Sequence, residues 1–219
     1  MASSGLELLW LSAPQLARGA WETLSISASA IAFSTLGGVL YGVLRSLGKR
    51  WLDVPLRVYL ELFRAIPVLV WLYLFFFGLP IFAGISVPSF WCAVLVLTLW
   101  GASEVGEVVR GGLRSLPRGQ REAGLAIGLS AVQLYHEVLL PQVLKRITPP
   151  TINVYTRIIK TSSLAVLIGV VDVIKVGQQI IERTYESVLI YGFLFLFFFF
   201  LCYPLSAASR VLERRWSHA

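Results

Sequence analysis

Ionisable side chains inside apolar stretches are the residues of this sequence that could bind a charged ligand. Arg64 and Glu104 bound an uncharged run of residues 65–103, and Lys160 lies in a later apolar segment. If these segments cross a membrane, each charge costs about 3 kcal/mol on insertion scales, so it normally faces a partner or a water-filled cavity. The spacing therefore indicates electrostatic binding of a polar group.

Glu104 is the least easily explained of these residues, and two interpretations of it stay open. It lies about six residues, or about 9 Å, before the charged end of its segment. It forms a structural ion pair with Arg64 or Lys160, or it contacts a substrate together with the adjacent Ser103. The predicted substrate-binding residues are Glu104, Arg64, Lys160 and Ser103.

Bond-breaking and metal chemistry have little support in the sequence. Ser162, Ser163 and Asp172 form no triad-like grouping with a histidine, so we predict no catalytic residue. Both cysteines, Cys92 and Cys202, lie in apolar runs far from His136 and His218. Buried cysteine usually behaves as a small hydrophobic residue, so we predict no disulfide and no metal site.

The composition indicates a membrane protein. Of 219 residues, 57% are hydrophobic and only 14% are charged, and the mean hydropathy is +0.75. A soluble domain carries about a quarter charged residues. The net charge of +7 lies between apolar segments and forms no basic stripe with interleaved aromatics, so a nucleic-acid partner is not expected.

Five apolar segments are long enough to cross a bilayer as helices. The predicted spans are about 21–44, 55–79, 87–109, 150–171 and 188–211, in one membrane domain over residues 1–219. We expect a short interfacial helix before the first span. Gly37, Gly38 and Gly42 permit close packing of the first span, although glycine is common in membrane helices.

Lysine and arginine in the short connections predict the orientation. The first connection, the third connection and the C-terminal tail are basic, with Arg45, Lys49, Arg50 and Arg57, then Arg110, Arg114, Arg118, Arg121, Lys145 and Arg146, then Arg210, Arg214 and Arg215. The second connection has no basic residue. The N-terminus is therefore predicted outside, and the C-terminus in the cytoplasm.

The third connection, at about 114–146, interrupts the apolar chain with two predicted amphipathic helices. Gly128 permits a sharp turn between them, Ser130 is a predicted N-cap, and Pro141 is expected to end the second helix. Such a pair either rests on the inner membrane surface or docks on a partner. The small side chains of the first helix, together with its few polar residues, favour docking on a partner.

The connection resembles the EAA loop of permease subunits of bacterial ATP-binding-cassette (ABC) importers. The matching positions are Glu122, Ala123, Gly124, Gly128, Val138, Leu140 and Pro141, with conservative departures at Gly124 and Val138. The segments "FRAIP", "GEVVRGGLRSLPRGQREAG" and "KTSSLAVLIGVVDV" are similar to the polar-amino-acid uptake permeases. The resemblance extends from about Gly19 to Arg215.

This resemblance implies an all-α membrane protein with the type I ABC importer permease fold and five spans per subunit. It implies that Glu122, Ala123, Gly124, Gly128, Leu140 and Pro141 couple the chain to its ATPase. The implied partners are an ABC ATPase dimer, a second identical or related permease chain, an extracytoplasmic substrate-binding protein and membrane lipid. The implied location is the bacterial inner membrane.

The chain itself has no phosphate-binding loop of the G-x-x-x-x-G-K-[S/T] type, so we do not expect it to be an enzyme. ATP and Mg²⁺ are expected in the partner subunit, and no cofactor in this chain. The family usually has tyrosine where Glu104 stands, and this acidic residue favours a cationic group. Against it, the members for basic amino acids often carry Glu-Asp where this chain has Val171–Asp172. The resemblance implies a polar amino acid or related compound, with a slight preference for a cationic one.

Three other functions are weighed against a permease. A secondary transporter would need ion sites in an inverted repeat, and five spans do not divide into equal halves. A non-transporting scaffold would leave the intramembrane charges and the loop spacing unexplained. An intramembrane enzyme lacks a recognisable catalytic grouping.

Overall fold

The structure is a computed structural model that describes residues 5–217. Within this range the side chains of Leu6, Arg118, Arg121, Ala131 and Ser217 are not described, so expectations that concern the side chains of Arg118 and Arg121 lie outside it, as does His218. All regular structure in the described range is helical, which confirms the predicted all-α class.

Ten α-helices follow one another in the described range. They are α1 (Gly5–Ser46), α2 (Arg50–Ala65), α3 (Val68–Tyr73), α4 (Leu79–Ala83), α5 (Ser89–Arg114), α6 (Arg118–Ala126), α7 (Ala131–Gln133), α8 (Leu140–Ser162), α9 (Val173–Thr184) and α10 (Ser187–Ser217). Two π-helical segments, Leu74–Gly78 and Leu134–Leu139, join α3 to α4 and α7 to α8. A 3₁₀ segment, Ser163–Ile168, continues α8.

Three helices, α1, α5 and α10, are by themselves long and apolar enough to cross a membrane. Two further candidates are bent pairs of helices, one at Arg50–Ala83 and one at Leu134–Thr184, with bends of 104° and 53° at their breaks. Counting each bent pair as one span gives up to five. The five exact spans stay a prediction, since length and composition alone identify them.

The N-terminal segment differs from the predicted short interfacial helix. One helix, α1, runs without a break from Gly5 to Ser46 and contains Pro14. Leu16 on its N-terminal part is buried against Val173 and Val176 of α9. This packing extends the helix because tertiary contacts stabilise most helices more than local propensity does.

The second predicted span, at about 55–79, is not one continuous helix in the structure, because the chain bends sharply between α2 and α3; that it crosses the membrane stays a prediction. The break falls at Ile66 and Pro67, and Pro67 has an extended backbone with ψ of 141°. Proline lacks the N–H that would continue the ladder, and it disfavours a helical conformation at the residue before it.

The helix that contains most of the fourth predicted span, at about 150–171, begins before that span and ends within it, and the bounds of the span stay a prediction. Helix α8 starts at Leu140 and runs through Pro149 and Pro150. Thr148 and Thr151 donate hydrogen bonds to backbone carbonyls one turn earlier, at 2.6 and 2.7 Å. The carbonyls that Pro149 and Pro150 leave without a donor are those of Lys145 and Arg146, and both residues are exposed, so the helix continues through the prolines without a buried unpaired carbonyl.

Two compact units share these helices. The first contains Ile66–Thr98, Arg157–Pro204 and the N-terminal part of α1. Its core comprises Leu16, Val173, Val176, Ile180, Ile190 and Leu194. The connection after α8 is not a plain loop, because Asp172 caps α9 by accepting the amide of Lys175 at 2.9 Å.

The second unit contains Phe33–Ala65, Leu99–Thr156 and the C-terminal part of α10. Here α1 and α5 approach so closely that a Cβ atom on Gly42 would lie 2.6 Å from the carbonyl oxygen of Gly106 and 2.7 Å from Cβ of Val109. Gly38 packs in the same way on Val105. The glycines of α1 thus create the close contact that the sequence only suggested.

Candidate functional site

Helix α2 presents a charged face to the exterior of its unit. Arg57, Glu61 and Arg64 are exposed at i, i+4 and i+7, whereas Leu60 and Phe63 on an adjoining face are buried. Residues with this spacing lie on one side of a helix. The helix is therefore strongly amphipathic, and its polar face needs a polar environment although the helix belongs to a membrane-span candidate.

Glu104 of α5 contacts this charged face through Arg64. The Nε atom of Arg64 lies 3.4 Å from the carboxylate of Glu104, and their side chains are 45% and 13% exposed. The structure thus contains one of the two ion pairs that the sequence left open for Glu104. A direct contact between Glu104 and a substrate stays a prediction.

The other two predicted substrate residues lie in different surroundings. Ser103 is fully buried, and its hydroxyl donates to the carbonyl of Trp100 at 2.7 Å. Lys160 is exposed near the end of α8 and belongs to the first unit, whereas Arg64, Glu104 and Ser103 belong to the second. Of the four residues, Arg64 and Glu104 form an ion pair; substrate contacts of Ser103 and Lys160 stay predictions.

A buried network of charges, which sequence reasoning missed, joins three helices in the second unit. The side chain of Arg45, at the end of α1, is only 5% exposed and pairs with Asp53 of α2 at 3.0 Å and with Glu107 of α5. Arg110 donates two hydrogen bonds to Glu107, at 2.8 and 2.7 Å. Tyr41 accepts a further bond from Arg45 at 3.2 Å.

The sequence held a partial signal for this network. Glu107 and Arg110 have the i, i+3 spacing of a helical ion pair. Arg45 counted only toward the orientation, because a basic residue near the end of a span is typically exposed at the inner surface.

Further polar contacts continue from this network to the third connection. Arg114 lies 3.5 Å from the carbonyl oxygen of Arg45. Arg146 of α8 donates to the carbonyl and hydroxyl of Ser115, at 2.6 and 2.8 Å, and Gln142 donates to Gln120 at 2.8 Å. Hydrogen bonds thus connect the ends of α1 and α5 to both ends of the connection.

The third connection forms two helical segments separated by a tight turn, as the sequence predicted. The turn has Gly128 at φ +85°, a conformation that glycine adopts without steric cost. Ser130 and Gln133 form a capping box, in which the amide of each is bound by the side chain of the other, at 3.0 and 3.3 Å. The predicted N-cap is therefore present.

The prediction that Pro141 ends the second helix is wrong. The chain passes from the π-helical segment Leu134–Leu139 directly into α8, with Pro141 at its second position. The π-helical segment before it provides the local change of geometry that lets a helix pass through a proline. The amide side chain of Gln142 also donates to the carbonyl of Val138 at 3.0 Å. The connection is thus continuous with the membrane helix that follows.

The residues of the EAA-like segment divide between the surface and the inside of the connection. Glu122, Ala123 and Pro141 are exposed, Leu140 is half-buried, and Gly124 is buried. A Cβ atom on Gly124 would overlap the side chain of Leu134. The small size of Gly124 therefore serves packing between the two helical segments. The coupling role of the EAA-like residues stays a prediction.

The outer surface of the connection is apolar in several places. Ile127 is 78% exposed, and Leu125 and Val132 are exposed as well. A groove beside them is lined by Gly119, Ala123, Gly124, Ile127 and Leu129. Exposed apolar side chains around a groove are typical of a surface that binds another protein.

Comparison with known proteins agrees with this arrangement. Residues 27–218 match the family described as binding-protein-dependent transport system inner membrane component. The glutamine transport system permease protein GlnP of Escherichia coli K12 is 33% identical over 208 residues, which cover 94% of this chain and 95% of that protein. The arginine transport system permease protein ArtQ of Bacillus subtilis is 31% identical over 201 residues, covering 89% and 90%.

Solved structures share the fold. The crystal structure of an amino acid ABC transporter with histidines contains a chain that is 26% identical, with a TM-score of 0.86 and coverage of 98% of this chain and 100% of that chain. The MetNI methionine ABC transporter shares the fold alone, at 24% identity, a TM-score of 0.72 and coverage of 92% and 95%. The fold, the third connection and the family match together show that this chain belongs to the inner membrane permease components of binding-protein-dependent ABC transport systems.

Proposed function

We propose that the chain carries an amino acid into the cytoplasm as one subunit of an ATP-driven importer. A pair of separate ATPase subunits binds ATP and Mg²⁺, a second permease chain completes the pathway, and an extracytoplasmic protein delivers the substrate. The support is the family membership together with relatives whose names include glutamine and arginine transport. The N-terminus is outside and the C-terminus cytoplasmic, in accordance with the basic connections.

The observation that carries this proposal is the connection between α5 and α8. It presents exposed apolar side chains, Leu125, Ile127 and Val132, on a segment that is hydrogen-bonded to the ends of two long helices. Because hydrogen bonds join this connection to α5 and α8, a displacement of the connection is expected to move the ends of these helices with it. An ATPase subunit beneath this connection would therefore move the inner ends of α5 and α8.

The proposed substrate class is an amino acid without a preferred side-chain charge. Relatives named for glutamine and for arginine are similar to this chain at 33% and 31% identity. The slight preference for a cationic substrate gains no support from these relatives. Glu104 is paired with Arg64, which offsets the acidic charge on which that preference depended.

Co-purification with the ATPase of the same transport system tests the docking. We expect Ile127→Asp and Glu122→Arg to reduce the recovered ATPase by at least about tenfold, because a charge on a desolvated contact costs more than 1.4 kcal/mol. Glu182→Arg, an exposed acidic residue on α9, is the matched control. Undiminished recovery with both loop variants would contradict the proposed docking surface.

A further inference from the structure

Glu61 is an exposed carboxylate in the middle of the charged face of α2. It makes no hydrogen bond or ion pair with any side chain or backbone group that the structure describes, although Arg57 and Arg64 lie one turn away on each side. It is eleven residues, or about 16 Å along the axis, from the start of its helix. A carboxylate in such a segment needs a polar partner from outside the subunit.

Arg64 is only partly used by its ion pair. Glu104 accepts from the Nε atom, and the two terminal Nη atoms make no hydrogen bond within the described residues. The side chain is 45% exposed. Terminal guanidinium nitrogens bind a carboxylate through two parallel hydrogen bonds, so Arg64 presents an open site for a carboxylate.

Glu61 and Arg64 place opposite charges three residues apart on one exposed helix face, where Cβ atoms are about 5–6 Å apart. An α-amino acid carries an ammonium and a carboxylate group on one carbon atom. We propose that this pair binds the zwitterionic backbone of the transported amino acid, Glu61 the ammonium group and Arg64 the carboxylate. Glu104 is then a positioning residue that orients Arg64. The inference rests on the proposed function.

The charge balance favours this ligand over others. The pair is neutral in sum, which matches a zwitterion and disfavours a ligand with a single charge, because one partner would stay unpaired. The pair binds only the backbone groups of the amino acid and does not select for its side chain. This agrees with the absence of a side-chain charge preference in the proposed substrate class.

Calorimetric binding to the assembled permease–ATPase complex in nanodiscs, without the binding protein, tests the pair. The ligands are L-glutamine and L-arginine, each with its analogue that lacks the α-ammonium group. In the unaltered complex we expect the analogues to bind at least tenfold more weakly, as for loss of a charge-assisted hydrogen bond. In Glu61→Gln we expect the amino acids to bind about 10-fold to 100-fold more weakly and as weakly as their analogues.

The complementary variant is Arg64→Gln, for which we expect the preference over decarboxylated analogues to disappear instead. The matched control is Arg57→Gln on the same helix face, because Arg57 already pairs with Asp53 at 3.1 Å; its binding should equal that of the unaltered complex. A Glu61→Gln complex that retains the full preference for the ammonium group would overturn the inference.

Two other outcomes would also overturn it. If the unaltered complex binds neither amino acid, the pair is not this site. If Glu61→Gln separates the permease chains in size-exclusion chromatography, the carboxylate belongs to a contact between chains. Failure of the proposed function is a different result, namely absence of ATP-dependent uptake of both amino acids by proteoliposomes that contain the unaltered complex and its binding protein.

Discussion

Arg45 shows how a single charged residue fixes the ends of three helices. Its guanidinium contacts Asp53, Glu107 and the hydroxyl of Tyr41, and its side chain is almost fully buried. A buried ion pair contributes little net stability compared with apolar packing, but removal of one partner leaves the other charge uncompensated. The value of Arg45 therefore lies in holding α1, α2 and α5 in one arrangement.

We expect Arg45→Met to destabilise the permease by about 3 kcal/mol, because methionine fills much of the volume but leaves buried carboxylates without their central partner. The measurement is thermal unfolding of the purified subunit in detergent. Arg57→Met is the control, since Arg57 is 63% exposed and its pair with Asp53 should contribute less than about 1 kcal/mol. Equal effects of the two variants would show that the buried network has no special role.

At the scale of residues, the sequence predicted which charged side chains form some of the ion pairs, but it did not predict all of these ion pairs. The Arg64–Glu104 pair was one of two alternatives, since both residues lie in apolar segments. The pair between Arg45 and Glu107 was missed because these residues are 62 positions apart and meet only when α1 packs on α5. Contacts of this kind depend on tertiary packing, which no local pattern specifies.

At the scale of elements, the close contact between α1 and α5 depends on glycine residues, which have no side chain to separate the two helices. A Cβ atom at Gly42 would lie only 2.6 Å from the carbonyl oxygen of Gly106, and backbone cannot move aside as a flexible side chain can. Small residues at membrane helix interfaces permit such approach and replace the hydrophobic driving force that lipid removes.

Gly42→Ala should therefore separate α1 from α5 and destabilise the subunit by about 1–3 kcal/mol, the usual cost of overpacking. Gly111→Ala in α5 is the matched control, because a Cβ atom there meets nothing within 4 Å and alanine favours the helix by up to about 1 kcal/mol. Thermal unfolding of both variants measures the difference. A Gly42→Ala subunit as stable as the control would contradict the close contact.

Local signals explain which elements the sequence predicted correctly. The turn at Gly128 and the cap at Ser130 were predicted because both depend on residues within one helical turn. The extension of α1 and the passage of α8 through Pro149 and Pro150 were not, because packing on α9 decides the first and the exposure of Lys145 and Arg146, whose carbonyls the prolines free, permits the second. Pro149 and Pro150 were expected to precede the start of α8, which instead passes through them. Pro67 was not expected to break a helix, and the chain bends there.

At the scale of the whole molecule, orientation in the membrane is the property on which the proposed function depends. The third connection must face the ATP-containing side, and α9 the opposite side, if an ATPase docks on one and a binding protein on the other. The basic connections predict this orientation.

Single-cysteine labelling measures the orientation directly. In a background of Cys92→Ala and Cys202→Ala, both of which replace buried thiols, Glu122→Cys should react with a membrane-impermeant maleimide only in inside-out vesicles. Glu182→Cys should react only in right-side-out vesicles or intact cells. Both positions are exposed, so lack of reaction would reflect the membrane. The reverse pattern would invert the topology and remove the basis for the importer.

The exposed Leu125, Ile127 and Val132 have a consequence for the cell that makes this subunit. In the proposed complex an ATPase covers these side chains. A copy of the subunit without that partner exposes them to water, which favours misassociation and recognition by chaperones and proteases. If the proposed docking holds, permease made in excess over the ATPase would be lost to aggregation or degradation, so we expect the cell to make the two proteins in matched amounts.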